Sequence, residues 1–276
     1  MSTFAHHGRD IFYQVDGDLT SGKEIIVLLN GIMMSTASWD GFVEAFSETT
    51  TLIRFDMLDQ GQSARMDEPY DQSLQVDVLI ALLDHLAVSS CHLVGISYGA
   101  SVALQAAIRF PKRVAKLVLA NAVAATSPWL KAIGDGWNQV AKTRDGEAYY
   151  NISIPYIYSD TFYNQNIAWM EARKEMLVPL FSDPEFLDRM TRLTVSAETH
   201  DTRDQLQDIA MPTLLIAGEK DVLTPRSEQE FLHHQIPDST LLVFPGCGHA
   251  SMYEQPKAFT SSILGFVHAN HIPTIT

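Results

Sequence analysis

Apolar runs of strand length alternate with amphipathic stretches of helix length along most of the chain, which predicts a mostly parallel sheet with helices on both faces. Asp10–Asp16 alternates and ends in a Gly/Asp turn, whereas Ile25–Leu29 is a continuous run of the kind a strand buried on both faces needs. Thr51–Phe55, Cys91–Ile96, Val114–Ala120, Thr213–Ala217 and Thr240–Phe244 read the same way. Between them, Ser73–Leu86 places Leu74, Val78, Leu79, Leu82, Leu83 and Leu86 on one helical face, and Tyr98–Phe110 is Ala-rich and stopped by Pro111. Ser227–His234 and Pro256–Val267 are helical by the same criteria. The rhythm breaks from about Thr126 to Ile209, where β-branched runs vanish and aromatics crowd helical patterns, among them Trp129, Trp137, Tyr149, Tyr150, Tyr158, Phe162 and Trp169. Pro179 and Pro184 punctuate this stretch, and Met211-Pro212 reopens the sheet pattern. The expected organisation is an α/β core, residues 1–125 and 210–276, carrying a helical insertion, 126–209, as a cap over a sheet of roughly eight strands.

The chain has 276 residues, 46% of them hydrophobic and 19% charged, which excludes disordered and collagen-like classes. A net charge of −14 repels phosphate backbones and anionic membrane surfaces, so neither nucleic acid nor membrane is an expected partner. No window approaches a bilayer-spanning length, and the start lacks a basic region followed by an apolar core, so a cytoplasmic protein is expected. Two cysteines, Cys91 and Cys247, provide no disulfide framework, and scattered histidines offer no metal spacing. No metal and no cofactor are expected. The expected partner is a small-molecule acyl substrate, and a monomer or homodimer is expected.

The sharpest local signal is Gly95-Ile96-Ser97-Tyr98-Gly99, which ends one apolar run and opens an Ala-rich helix. A serine on a tight strand-to-helix turn needs small neighbours two places either side, and its hydroxyl is left projecting at the carboxyl edge of the sheet. A hydroxyl is a weak nucleophile at neutral pH and needs a base that a third group orients. Asp221 and His249 meet that need, because each follows an apolar strand run directly, in the stretches Gly218–Pro225 and Phe244–Ala250. Ser97, Asp221 and His249 thus fall at carboxyl ends of strands, where open sheets build their sites. Glu219 is the nearest rival carboxylate, and Asn121, which follows the preceding strand, cannot hold a negative charge.

These stretches, with Phe55–Ser63 as a D-x-x-G-x-G-x-S-like turn and the helical insertion after Ala120, make nearly the whole chain resemble the α/β-hydrolase superfamily. The resemblance implies Ser97 as nucleophile, His249 as general base, Asp221 as orienting acid, and backbone amides of Ile32 and Tyr98 as oxyanion donors. The loop Leu29–Trp39 departs from the usual pattern, because Asn30 stands where the superfamily has histidine. Its form is similar to that of bacterial acyltransferases acting on 3-hydroxyacyl chains. Asn30 and Met33 are accordingly expected to touch substrate, and Ile32, Met33 and Met34 make the loop apolar. Most cap aromatics are expected to form the cap's own core. The expected function is a cofactor-free serine hydrolase of a small or medium carboxylic ester, thioester or lactone, working through an acyl-enzyme. The alternatives are acyl transfer to an alcohol or thiol, a ligand receptor without turnover, and carbon–carbon hydrolysis or peroxidation by the same residues.

Overall fold

Continuous apolar runs can be buried on both faces only in the middle of a sheet, and that is where they lie. The computed structural model describes residues 2–269. Its eight strands are β1 (Ser2–His6), β2 (Arg9–Asp16), β3 (Ile25–Leu29), β4 (Thr51–Phe55), β5 (Cys91–Ile96), β6 (Val114–Ala120), β7 (Thr213–Gly218) and β8 (Ser239–Phe244). They form one sheet in the order β1-β2-β4-β3-β5-β6-β7-β8. β1 and β2 pair antiparallel, β2 joins β4 antiparallel, and every later pairing is parallel. The fold class is the expected α/β arrangement.

β1 escapes the sequence pattern. It is the first arm of a hairpin whose two-residue loop, His7-Gly8, has both residues at positive φ (49° and 74°). This twist suits a tight hairpin, but His-Gly is an uncommon way to encode it. The helical stretch Thr36–Ser47, a 3-10 turn running into a short α-helix, also lacks a readable period, and it buries Trp39, Phe42 and Phe46.

Chain order reverses across β3, which has β4 on one side and β5 on the other, so the loops after β3 and β5 part at the switch point where α/β sheets build sites. Register then aligns the strand ends: Leu29 lies beside Gly95, Ile96 beside Ala120, Ala120 beside Ile216, and Gly218 beside Phe244. The residues that follow these ends therefore share one edge. Helices cover both faces, one over a core containing Val27, Leu79, Leu93, Leu104 and Leu119, the other over Ile26, Val94, Val118, Phe259 and Ile263.

Between β6 and β7 stand five helices: Pro128–Ala141, Gly146–Ile157, Asp160–Gln165, Ile167–Phe181 and Pro184–Ser196. Ser127, Asp145, Ser159 and Asp183 cap four of them by accepting from free first-turn amides. Pro179 does not interrupt its helix but lies in its last turns, and Pro184 opens the next helix, where a missing N–H costs nothing. The aromatics Trp137, Tyr149, Tyr150, Tyr158 and Phe181 are buried in a core of this insertion, which extends to Leu223 and Ala250 at the strand ends. Trp129 and Trp169 stay substantially exposed. The root is pinned by Thr126 N donating to His200 O (2.9 Å) and Thr202 N donating to Ala124 O (2.8 Å). Among the described residues no helix is long and apolar enough to cross a membrane.

Candidate active site

Ser97 sits between β5 and the helix Tyr98–Arg109 with φ 53° and ψ −117°, a conformation that costs a non-glycine residue of order 1–3 kcal/mol. Its surroundings enforce it. Ser97 N donates to Ala120 O (2.9 Å), and Ser97 O accepts from Ala100 N (2.9 Å) and Ser101 N (3.1 Å). The flanking glycines permit the turn: a Cβ on Gly95 would stand 2.7 Å from Ala100 Cα, and one on Gly99 would stand 2.6 Å from Asn30 O. Tyr98 opens the helix, so its amide has no place in the helical ladder and is available to a ligand beside Ser97.

Asp221 and His249 come together as the sequence suggests. His249 Nδ1 donates to Asp221 Oδ2 at 2.8 Å, with the Asp221 side chain fully buried and that of His249 nearly so. Asp221 Oδ1 accepts from the amides of Leu223 and Thr224 (2.9 Å each), and Oδ2 also accepts from Asn121 Nδ2 (2.7 Å) and Thr224 Oγ1 (2.8 Å). Burial pushes the carboxyl group up, but the His249 ring and these donors outweigh it and hold Asp221 below the usual carboxylate range. Asn121 is itself held by Ser251 Oγ, which donates to its Oδ1 (2.8 Å), and it too has positive φ (53°). Asn121, which cannot hold a negative charge itself, thus supports the Asp221 carboxylate. Ser97 and His249 line the same cavity, but among the described residues no hydrogen bond joins the serine hydroxyl to the ring. Such contacts are often loose without substrate and tighten when it binds.

The His249 loop is tied to the helical insertion. Glu254 accepts from Ser159 N (2.9 Å), Ser159 Oγ (2.6 Å) and Gly248 N (3.1 Å), and Ala250 N donates to Ile157 O (2.8 Å).

Opposite Ser97, the loop after β3 makes a turn in which Met34 N donates to Gly31 O (3.1 Å), leaving Ile32 and Met33 at its tip. Both reach the cavity wall. Asn30 corrects the sequence reading. Its Nδ2 donates to Phe55 O (3.0 Å) and Gln60 Oε1 (3.1 Å), its Oδ1 accepts from Trp39 Nε1 (2.7 Å), and it lines neither cavity at Ser97. A fully buried amide with these partners shapes the loop from behind instead of touching substrate.

Two cavities of about 90 Å³ each flank Ser97 and share Ile32, Ser97 and Leu223. One runs under the helix Pro128–Ala141, past Val123, Leu130, Ile133 and Trp137. The other runs past His249, Met33, Tyr158, Arg173 and Tyr253. Trp137 Nε1 and Arg173 Nε are buried without hydrogen-bond partners. Trp137 and Arg173 were not legible as site residues, because nothing in the sequence says which side of an insertion helix turns inward. Among the described residues no three His, Cys, Asp or Glu side chains cluster as a metal site would require.

Comparison with known proteins agrees with this fold. Residues 24–256 match the family described as the alpha/beta hydrolase fold. The solved structure of MGS-M2, an alpha/beta hydrolase enzyme from a Medee basin deep-sea metagenome library, superposes with TM-score 0.98 at 54% identity, covering all of both chains. A pimeloyl-(acyl-carrier protein) methyl ester esterase of Nitrosomonas europaea is 30% identical over 88% of this chain and 96% of its own. RutD of Caulobacter sp. (strain K31), named as a proposed carbamate hydrolase, is 26% identical over 93% of this chain and 95% of its own. On the family match, the shared sheet order and the strand-to-helix serine turn, the chain belongs to the α/β-hydrolase family.

Proposed function

We propose that the protein is a cofactor-free serine hydrolase of small or medium carboxylic esters, thioesters or lactones. The observation that carries this is Ser97, strained at the edge of a cavity whose wall includes His249, with His249 Nδ1 2.8 Å from a buried Asp221. The names of the relatives, a methyl ester esterase and a proposed carbamate hydrolase, support acyl-group hydrolysis.

In this reading Ser97 Oγ attacks the carbonyl carbon while its proton passes to His249 Nε2, and Asp221 stabilises the imidazolium. The amides of Ile32 and Tyr98 hold the oxyanion. Collapse breaks the bond to the leaving group, which departs with the proton from His249. Water then attacks the acyl-enzyme, gives its proton to His249, and releases the acid and free Ser97. Residues 126–209 act as a cap that closes both cavities over the serine, and their aromatic core fixes the walls. Asn30, which suggested acyl transfer, is occupied within its own loop, so water is the acceptor we assign.

A fluorophosphonate probe with intact-mass and peptide mapping tests this. Labelling at Ser97 and its loss in Ser97→Ala, with ester turnover falling at least a hundredfold, is expected. A folded protein that resists the probe, or a Ser97→Ala variant with unchanged turnover, overturns it.

A further inference from the structure

Among the described residues, nine of the eleven arginines enter ion pairs with carboxylates. Arg173 does not, although the molecule has 33 acidic residues against 19 basic ones. It projects from the helix Ile167–Phe181 into the cavity that Ser97 and His249 line. Its guanidinium lies over the rings of Tyr253 (4.6 Å) and Trp169 (5.3 Å), and the Tyr158 hydroxyl lies beside it. Aromatic faces hold the plane of the group but do not use its edge, where the N–H donors are, and Nε is buried without an acceptor. A cation fixed in orientation, partly desolvated and lacking a carboxylate of its own is arranged to accept one from outside, through the paired N–H geometry that distinguishes Arg from Lys.

We propose that Arg173 is a specificity-determining residue that receives an ionised carboxylate of the substrate, so that the substrate is an ester or lactone bearing a second acid group. This rests on the hydrolase reading for turnover, but not for binding. The other cavity, lined by Val123, Leu130, Ile133 and Trp137, holds a cation too, Lys131, but Glu198 already pairs with it, so this side receives the less polar arm.

The test compares monoethyl succinate, glutarate and adipate with ethyl esters of monoacids of equal chain length, for the wild type, Arg173→Lys and Arg173→Gln. At the best chain length, the wild-type kcat/KM for the acid-bearing ester exceeds that of the neutral ester by roughly tenfold to a hundredfold, the value of a charged hydrogen bond. Arg173→Gln lowers this ratio at least tenfold, and Arg173→Lys restores part of it. A ratio untouched by Arg173→Gln, or a wild-type preference for the neutral ester at every length, overturns the proposal. Circular dichroism and the rate of fluorophosphonate labelling establish that each variant keeps its site assembled. Should Arg173→Gln fail to fold, the Arg173→Lys ratio decides alone: a fall supports the proposal and no change overturns it. Calorimetric binding of glutarate to Ser97→Ala separates the two readings. Binding that Arg173→Lys weakens keeps the anion site even if no ester is cleaved, and no binding overturns it even if esters are.

Discussion

Asp221 owes its low proton affinity to four donors and an imidazole in a buried place, and this makes its role measurable. A carboxylate depressed in the folded state stabilises the fold fully above its unfolded value of about 3.9, and that stabilisation is lost as pH falls through the folded value. Asp221→Asn should therefore unfold at a lower urea concentration than wild type near pH 6, with the gap narrowing as pH falls below about 5. Its kcat should drop roughly ten-thousandfold, as when the orienting carboxylate of a serine–histidine–aspartate triad is made neutral. Asn121 offers the opposite experiment. Asp tolerates its positive φ, so Asn121→Asp keeps the backbone but sets two buried carboxylates side by side, where they must share a proton. A raised folded-state proton affinity costs stability as pH rises, so the variant should lose about 3 kcal/mol by pH 8 and much less at pH 4, read from paired denaturation curves. At this scale the sequence was most legible where chemistry and backbone demand the same residue. The strand-end positions of Ser97, Asp221 and His249 could be read in advance, and in the structure Asp221 bonds His249, which lines one cavity with Ser97. Asn30 was misread because an amide looks the same whether it faces a ligand or three internal partners.

Elements meet through few but specific contacts, and the turn after β4 shows how. Asp59 stands where the related motif carries glycine, and it adopts the left-handed conformation (φ 64°) that glycine would take freely. Its buried carboxylate accepts from Arg192 Nε (3.1 Å) and Nη2 (2.7 Å) and from Met66 N (3.0 Å), while Arg189 donates to the carbonyls of Gly61 (3.2 Å) and Ser63 (3.3 Å). The helix Pro184–Ser196 is thereby fastened to the sheet edge. Arg192→Leu would leave the Asp59 charge buried and unpaired, at a cost of about 3 kcal/mol in thermal or urea unfolding. Adding Asp59→Asn to that variant should recover part of the loss, because the stranded charge is gone. A double variant no more stable than Arg192→Leu would show that the loss comes from packing. None of this could be read from sequence, since Arg192 and Asp59 are 133 positions apart. The core strands were legible because burial on both faces selects unbroken apolar runs. The insertion was legible only as helical, because short amphipathic helices record their period but not their neighbours.

At the scale of the whole molecule, the sheet order settles where the site lies, and the insertion settles its shape. The two cavities share Ile32, Ser97 and Leu223, so on the proposed mechanism a bound substrate has its reacting carbon at their junction with one arm on each side. The arms are not interchangeable: one side offers aliphatic walls, an indole donor and the paired charges of Lys131 and Glu198, the other an imidazole and a guanidinium unpaired among the described residues. If the carbonyl oxygen turns toward the amides of Ile32 and Tyr98 as proposed, three directions around that carbon are assigned, and a fourth substituent must take whatever space is left. Such a junction distinguishes mirror images. A racemic ester branched next to its carbonyl should be consumed one enantiomer first, with a selectivity of at least about tenfold by chiral chromatography, a difference of about 1.4 kcal/mol between the two transition states. Equal consumption of both hands would mean that the junction is wider in solution than its three shared residues make it. If one hand is consumed first, the insertion fixes the handedness of the product, while the chemistry that makes it belongs to the sheet.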